Sequence, residues 1–462
     1  MMENRLLRHR YLAQTLGRAM RTTLGMGPLA AGRMLLRYPW SLTFSKVNRI
    51  FDNMLQGRTG PYAEATAFLL REIISESSRD LTRAVCDPSR LILNEDLVPP
   101  EILFGMGLST WFTEFLGFLL PMINPEIAEQ YIDAGEAAGV PPDICSLPRH
   151  IMGIASKGHL PAPAAVVTSN SPCDGGMASY TVIGRELSCP VFRLDVPYHF
   201  SGRRAEDYFI GELRQMIAWL AKNTPGRMDW DRLKAVCEER NRMQEAEASL
   251  WDMLRLRPAP MAAEPVYLNH LWGFVIRPGM PHSTFLMEKI RDLAAENVAQ
   301  GRGALANERF RMLLWGPFPA YLTRMWSWAE RTFGISLIVD SLSYNRLDPI
   351  DTSSEEAMLR SLARIVMAGP MARHSRGPAR NYFDDLFHAV ENFQIDMLWL
   401  AGHVGCKNAR ALNGMLRERC REKGIPLLIL EYDLSDGRIV PEKDVKAQVV
   451  HFMENVMKAE PN

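Results

Sequence analysis

The stretches Asp143-Ile-Cys-Ser-Leu-Pro-Arg149 and Pro161-Ala-Pro-Ala-Ala-Val-Val-Thr-Ser-Asn-Ser-Pro-Cys-Asp-Gly-Gly176 decide how this chain is read. The apolar run Ala164–Thr168 is short and bounded by Pro, Ser and Gly, the pattern of a buried parallel strand. Cys145 and Cys173 flank it, each in a loop from which a thiolate can project past the end of a sheet. A third cysteine, Cys406, follows the apolar run Ile395–Leu400 in the loop Ala401-Gly-His-Val-Gly-Cys-Lys407. Open α/β sheets bind ligands at the C-terminal ends of their strands. Three thiols in such loops make one site if the fold brings them together.

Working outward, residues 1–140 carry stripes of helical period, such as Phe51, Met54 and Leu55, or Ala67, Leu70 and Ile74, and are expected to be a helical N-terminal region. From about 161 strands alternate with helices. Strands are expected at Ala164–Thr168, Pro190–Val196, Arg311–Trp315, Ile335–Asp340, Ile395–Leu400 and Leu427–Glu431. Amphipathic helices fall between them, Tyr208–Leu220, Arg232–Leu254 and Ala320–Thr332 among them. This alternation implies βαβ units and parallel sheets. Pro258, Pro260 and the Pro- and Gly-punctuated segment to about 283 mark a domain boundary. The expected fold class is α/β: a helical region 1–140, a Rossmann- or flavodoxin-like lobe 141–283 with Cys145 and Cys173, and a second lobe 284–462 with Cys406.

The 462 residues are 47% hydrophobic and 23% charged, and their formal net charge is zero, which argues against a general polyanion binder and so against a nucleic-acid partner. Seven cysteines are too few, and odd in number, for a disulfide scaffold, so a reducing, cytoplasmic setting is expected. No secretory signal is expected, because Arg33 interrupts the early apolar stretch. The most apolar segment, Trp111–Ile123, contains Glu114 and falls short of the ~20 residues of a bilayer span, so no membrane partner is expected. Residues 1–50 hold nine Lys or Arg against the single acid Glu3. That composition suits a solvated helical face, a docking arm for a partner, or an organellar transit peptide.

Cysteine spacing excludes the local signatures. There is no C-x-x-C, and no interval matches a zinc ribbon or a ferredoxin run. On spacing alone each cysteine is as well read as a buried free thiol. The sequence also lacks G-x-x-x-x-G-K-[ST] and G-x-G-x-x-G.

In combination the motifs become specific. Cys173-Asp-Gly-Gly176, Cys189-Pro-Val-Phe-Arg-Leu-Asp-Val-Pro-Tyr198, Glu308-Arg-Phe-Arg-Met-Leu-Leu-Trp-Gly-Pro317, Cys406-Lys407 and Gly424-Ile-Pro-Leu-Leu-Ile-Leu-Glu-Tyr-Asp433 resemble the 2-hydroxyacyl-CoA dehydratase and benzoyl-CoA reductase family. The resemblance covers roughly residues 140–457. It implies a subunit holding a [4Fe–4S] cluster between two α/β lobes through Cys145, Cys173 and Cys406. Three thiolates leave one iron free of protein thiolate, to act as Lewis acid and electron donor. Some family subunits add a sulfur ligand from the second lobe, and Asp340-Ser-Leu-Ser-Tyr-Asn345 offers no thiol.

The chemistry implied is a lyase reaction. One-electron reduction of a 2-hydroxyacyl thioester gives a ketyl radical anion, which expels hydroxide and acidifies the β-hydrogen. The oxidoreductase branch reduces aromatic acyl-CoA rings with the same cluster, and a homodimeric branch carries a larger fused cluster. A structural paralogue without turnover is the non-enzymatic alternative. The resemblance also implies an acyl-CoA substrate, a related subunit or a second copy as partner, and a separate ATP-hydrolysing iron–sulfur activator. His403, Ser146 and Asp174 are the candidate catalytic residues beside the three ligands. A satisfied strand-end histidine and ordinary loop caps are the alternative readings of these three. Arg149, Arg203, Arg204 and Lys407 are candidates for the CoA phosphates, against a reading as solvated surface charges.

Overall fold

The computed structural model describes residues 2–112, 114–199, 201–340, 342–344, 347–376 and 378–462, with side chains from residue 5. Two all-parallel, four-stranded sheets carry the chain. The first is built from β1 (Leu91–Asn94), β2 (Ser109–Phe112), β3 (Ala165–Ser169) and β4 (Val191–Leu194) in the order β2-β1-β3-β4. The second is built from β5 (Phe310–Trp315), β6 (Ile335–Asp340), β7 (Met397–His403) and β8 (Leu427–Tyr432) in the order β6-β5-β7-β8. The order is the same in both: the second strand outside the first, then the third and fourth on its other side. Each lobe therefore reverses direction between its first and third strands, the point where doubly wound sheets open a crevice. The expected α/β class, with two flavodoxin-like lobes, is the class observed.

Every strand from β3 onward was legible, including the four-residue β4, which lies within the expected run Pro190–Val196. β3 and β5 through β8 fall within three residues of the expected runs at either end, because each is a β-branched or apolar segment set between helical patterns. β1 and β2 correct the sequence reading, which gave all of 1–140 to helix. They are only four residues long, and Leu91, Ile92 and Leu93 are all fully buried. Ile92 faces the core shared with Val167 and Phe209, and Leu91 and Leu93 face the core shared with Val166 and Tyr180. A strand covered on both faces shows no alternation and reads as an anonymous apolar run. Of the apolar segment 111–123, Thr113 lies outside the described residues, and Glu114–Ile123 is a helix.

The Pro- and Gly-punctuated segment 258–283 is itself helical in part. It contains the helix Ala263–His270 and a π-helical turn, Leu271–Ile276, with Val266 and Trp272 in the core. Pro265 sits in the first helical turn, where no backbone donor is needed, so it does not break the helix. The N-terminal helix Gly60–Cys86 packs into that same core through Leu69, Leu70 and Ile74, a core that also takes in Leu313 and Leu398 of the second sheet. The lobes also share a core. Phe209 and Leu213 of helix Arg203–Asn223 meet Leu359 and Leu362 of helix Glu355–Ala368.

Helices Pro125–Ala137 and Ser146–Ser156 pack backbone to backbone. A Cβ at Gly153 would lie 1.7 Å from the Tyr131 carbonyl oxygen, and one at Gly135 would lie 2.2 Å from that of Arg149. Only glycine permits this approach, which seats the helix that begins beside Cys145. Gly153→Ala is expected to destabilise the chain by about 3 kcal/mol through overpacking, read as a lowered urea midpoint with an unchanged m-value.

Candidate metal centre

Each of the three expected cysteines caps a helix. β3 runs into Asn170-Ser-Pro172, and Cys173 is the N-cap of helix Asp174–Glu186, its Sγ accepting the Gly176 N–H at 3.4 Å. β7 runs into Val404-Gly405, and Cys406 is the N-cap of the short helix Lys407–Ala411. These are equivalent positions, each after the third strand of its lobe. Cys145 is the N-cap of helix Ser146–Ser156. Gly405 brings the two lobes into contact here: a Cβ on it would meet the Ile144 carbonyl oxygen at 2.7 Å and Cys145 Cα at 2.8 Å. Cys145 and Cys173 come close enough to one another and to Cys406 for a thiolate there to push the Cys145 and Cys173 thiols up, after the larger effect of burial.

His403, the last residue of β7, is 1% exposed. Its Nδ1 accepts the Leu434 N–H at 3.2 Å, so the neutral ring carries its proton on Nε2, which lies 3.2 Å from Cys145 Sγ. Burial holds its pKa below 6.5, against the opposing pull of Asp433. The proton therefore stays on Nε2 and donates to the cysteine sulfur.

The loop after β8 fixes this arrangement. Asp433 is fully buried and accepts Arg149 Nη2 at 3.0 Å, together with the Ser435 and Asp436 N–H groups at 2.9 Å each. Ser146 is fully buried and its Oγ accepts the Ser435 N–H at 3.1 Å. Asp174 is exposed in the first turn of its helix, where a carboxylate suits the helix dipole. Of the phosphate candidates, Arg149 is buried between Asp433 and Glu136, and Lys407 pairs with Asp143 at 2.9 Å. Arg203 and Arg204 stand exposed at the head of helix Arg203–Asn223. Ser341 and Asn345 of the second-lobe segment lie outside the described residues.

Sequence reasoning passed over a group of carboxyls beside the thiols. Glu95 and Asp96 follow β1, and Glu114 opens helix Glu114–Ile123; a Cβ on Gly176 would lie 3.6 Å from Cys173 Sγ and 3.8 Å from Glu114 Oε1. Burial, and then mutual repulsion with Asp96, pushes Glu95 well above the carboxylate range. Burial and the Asp96 charge lift Glu114 to about 8. Burial pushes Cys145 up and Cys173 to about 12. The signal for Glu95 and Asp96 was their place after a strand, and that strand was itself hidden. Arg376 was also passed over. From the second lobe it reaches the ends of β3 and β4, donating to Ser171 Oγ at 3.0 Å, Asn170 Oδ1 at 2.8 Å and the Val196 carbonyl. It lines an open cleft of about 550 Å³ with Ser171, Pro172, Asp195, Tyr198 and Tyr208, next to Cys173.

The model of the family "2-hydroxyglutaryl-CoA dehydratase, D-component" matches residues 97–456. The chain belongs to that family. Its relatives include the lactoyl-CoA dehydratase subunit alpha of Anaerotignum propionicum, 20% identical over 85% of this chain and 97% of the relative. A benzoyl-CoA reductase subunit of Thauera aromatica is 21% identical over 70% of this chain and 78% of the relative. The (R)-2-hydroxyglutaryl-CoA dehydratase subunit alpha of Acidaminococcus fermentans is 25% identical over 31% of this chain and 30% of the relative. Dehydratases and a reductase thus stand together among these family members, all of them subunits.

Among the described residues no three His, Cys, Asp or Glu side chains close around a single metal ion. A cubane cluster is gripped at separate irons and needs its sulfurs spread around a larger body. Three soft donors at three helix N-termini, with an N–H aimed at one sulfur and a glycine where two loops touch, fit such a cluster.

Glu114 is raised from 4.5 to about 8, so its contribution to folding is full below about 4.5 and is lost as pH rises to about 8. The metal-free chain is expected to lose stability over that window. Glu114→Gln is expected to remove about 1 kcal/mol or more of the difference between urea midpoints at pH 5 and pH 8.

Proposed function

We propose that this chain is the iron–sulfur subunit of a 2-hydroxyacyl-CoA dehydratase-type lyase, which removes water from an acyl-CoA thioester after one-electron activation. The observation that supports the reading is the meeting of Cys145, Cys173 and Cys406, each at a helix N-terminus, between two lobes. They would hold a [4Fe–4S] cluster, which when bound supplies a low-potential electron and a Lewis-acidic iron. Burial pushes the Cys145 and Cys173 thiols up, so their loading with a cluster would release protons.

The surrounding residues divide the remaining work. His403 holds a proton at Nε2 against the Cys145 sulfur. Ser146 and the Arg149–Asp433 pair position the loops and touch no open space. Glu114, lifted to about 8, can give a proton to a departing hydroxide and, once ionised, take one from the substrate's β-carbon; Glu95, with both carboxyl oxygens buried, stays behind it. Asp174 lies at the mouth of the site, where its charge meets solvent. The cleft beside Cys173 admits the thioester, and Arg203 and Arg204 are the exposed cations available to CoA phosphates. A related subunit and an ATP-hydrolysing iron–sulfur activator complete the system in a reducing cytoplasm. The relative that belongs to a benzoyl-CoA reductase favours a second reading, reduction of an aromatic acyl-CoA by the same centre.

Anaerobic purification and iron analysis, followed by assay with an activator against 2-hydroxyacyl- and aromatic acyl-CoA thioesters, tests this. About four irons per chain and loss of an equivalent of water are expected. Iron-free protein would sink the reading, and ring reduction would select the reductase. Each of Cys145→Ser, Cys173→Ser and Cys406→Ser is expected to lose most of the iron. His403→Phe should keep the iron but lower the midpoint potential, on the order of tens of millivolts, because an N–H to sulfur favours the reduced state. His403→Gln should restore part of the shift.

A further inference from the structure

The N-terminal helices have two faces, and only one is used. Helix Met2–Gly25 packs on helix Gly60–Cys86 through Tyr11 and Thr15, and Arg18 pairs with Glu72 at 2.6 Å. Its other face carries Leu6, Met20 and Leu24, each more than 60% exposed. Helix Pro28–Arg37 repeats the arrangement. Ala31 and Met34 are buried, whereas Leu29 and Leu36, 81% and 84% exposed, flank Arg33 on one outward stripe. Of the sixteen large apolar side chains that the described residues expose, eight lie between Leu6 and Leu42. So dense a clustering is not the scattered exposure of an ordinary surface.

Past Glu3, the charge of this region has one sign. From Asn4 to Phe51 there are nine Lys or Arg and no acid. Arg8, Arg10 and Arg18 are taken by Asp52, Glu64 and Glu72. Arg5, Arg21, Arg33, Arg37, Lys46 and Arg49 are exposed and form no ion pair among the described residues. A second copy docking on this face would set cation against cation. A protein partner's hot spots usually combine aromatic with arginine anchors, but here Tyr11, Tyr38 and Trp40 are turned into the core and only aliphatic side chains accompany the arginines. Protruding aliphatic side chains ringed by arginine match the boundary between acyl chains and acidic headgroups. No helix among the described residues is long and apolar enough to cross a membrane, so contact would be lateral.

We infer that the outer face of helices Met2–Gly25 and Pro28–Arg37 docks the protein on a lipid surface carrying anionic headgroups. This goes beyond the expectation of no membrane partner, which rested on the lack of a spanning segment, and stands independently of the chemistry proposed for the centre. The test is flotation of the full chain with vesicles of phosphatidylcholine alone or with about 30% phosphatidylglycerol, with light scattering for oligomeric state. Expected are binding to the anionic vesicles only, at least tenfold weaker in about 0.5 M salt, and at least tenfold loss in L29S/L36S and in R33E. Circular dichroism should show both variants folded. Absence of binding to anionic vesicles, equal binding to neutral ones, or a wild-type dimer that L29S/L36S splits would each overturn the inference. The last would make this face an interface between copies.

Discussion

The ion pair between Arg149 and Asp433 is the tie on which the centre depends. Burying both charges costs several kcal/mol per ion, and their attraction is offset by that penalty, so the pair is poorly explained as a source of stability. Its effect is on register. Arg149 belongs to the helix that Cys145 caps, and Asp433 belongs to the loop that ends the second sheet. Once they meet, the Ser435 N–H finds Ser146 and the Leu434 N–H finds His403. A small slip of one lobe would leave several of these buried groups unpaired, each at about 1–3 kcal/mol. The cysteine loops inherit that positional precision.

The electrostatics around the thiols oppose anionic sulfur while the site lacks positive charge. Helix N-termini favour thiolates, yet Cys145 and Cys173 are pushed up because burial and nearby acids outweigh the dipoles. The acids are themselves pushed up, so the region holds protons that an incoming cation would displace. Thiols raised in this way are poor nucleophiles at neutral pH. That separates them from the low-pKa cysteine sites of thiol enzymes, where a neighbouring cation is built into the protein.

Legibility followed coverage more than length. β6 and β8 were read from the sequence almost residue for residue, and the helix Arg203–Asn223 announced itself by its 3.6-residue stripe. β1 and β2 did not, being four residues long and hidden under helices. Losing β1 also lost the carboxyls that follow it. The three cysteines were readable because Pro, Ser and Gly punctuate their loops. Their convergence was carried by resemblance, since residues 258 positions apart, as Cys145 and His403 are, have no local signal linking them. Arg149 looked like a surface cation in the sequence and is a buried one. Nothing in Leu-Pro-Arg-His distinguishes the two, because its partner arrives from residue 433.

The repeated strand order carries one more implication. If the halves are superposed in thought, Cys406 answers Cys173, each leading the helix after a third strand. The answer to Cys145, which leads the helix before the first lobe's third strand, is Pro378, leading helix Ala379–Asn392. A proline side chain offers no lone pair to a metal. The two halves thus use a common frame unequally: the first offers a cysteine both before and after its third strand, the second only after it.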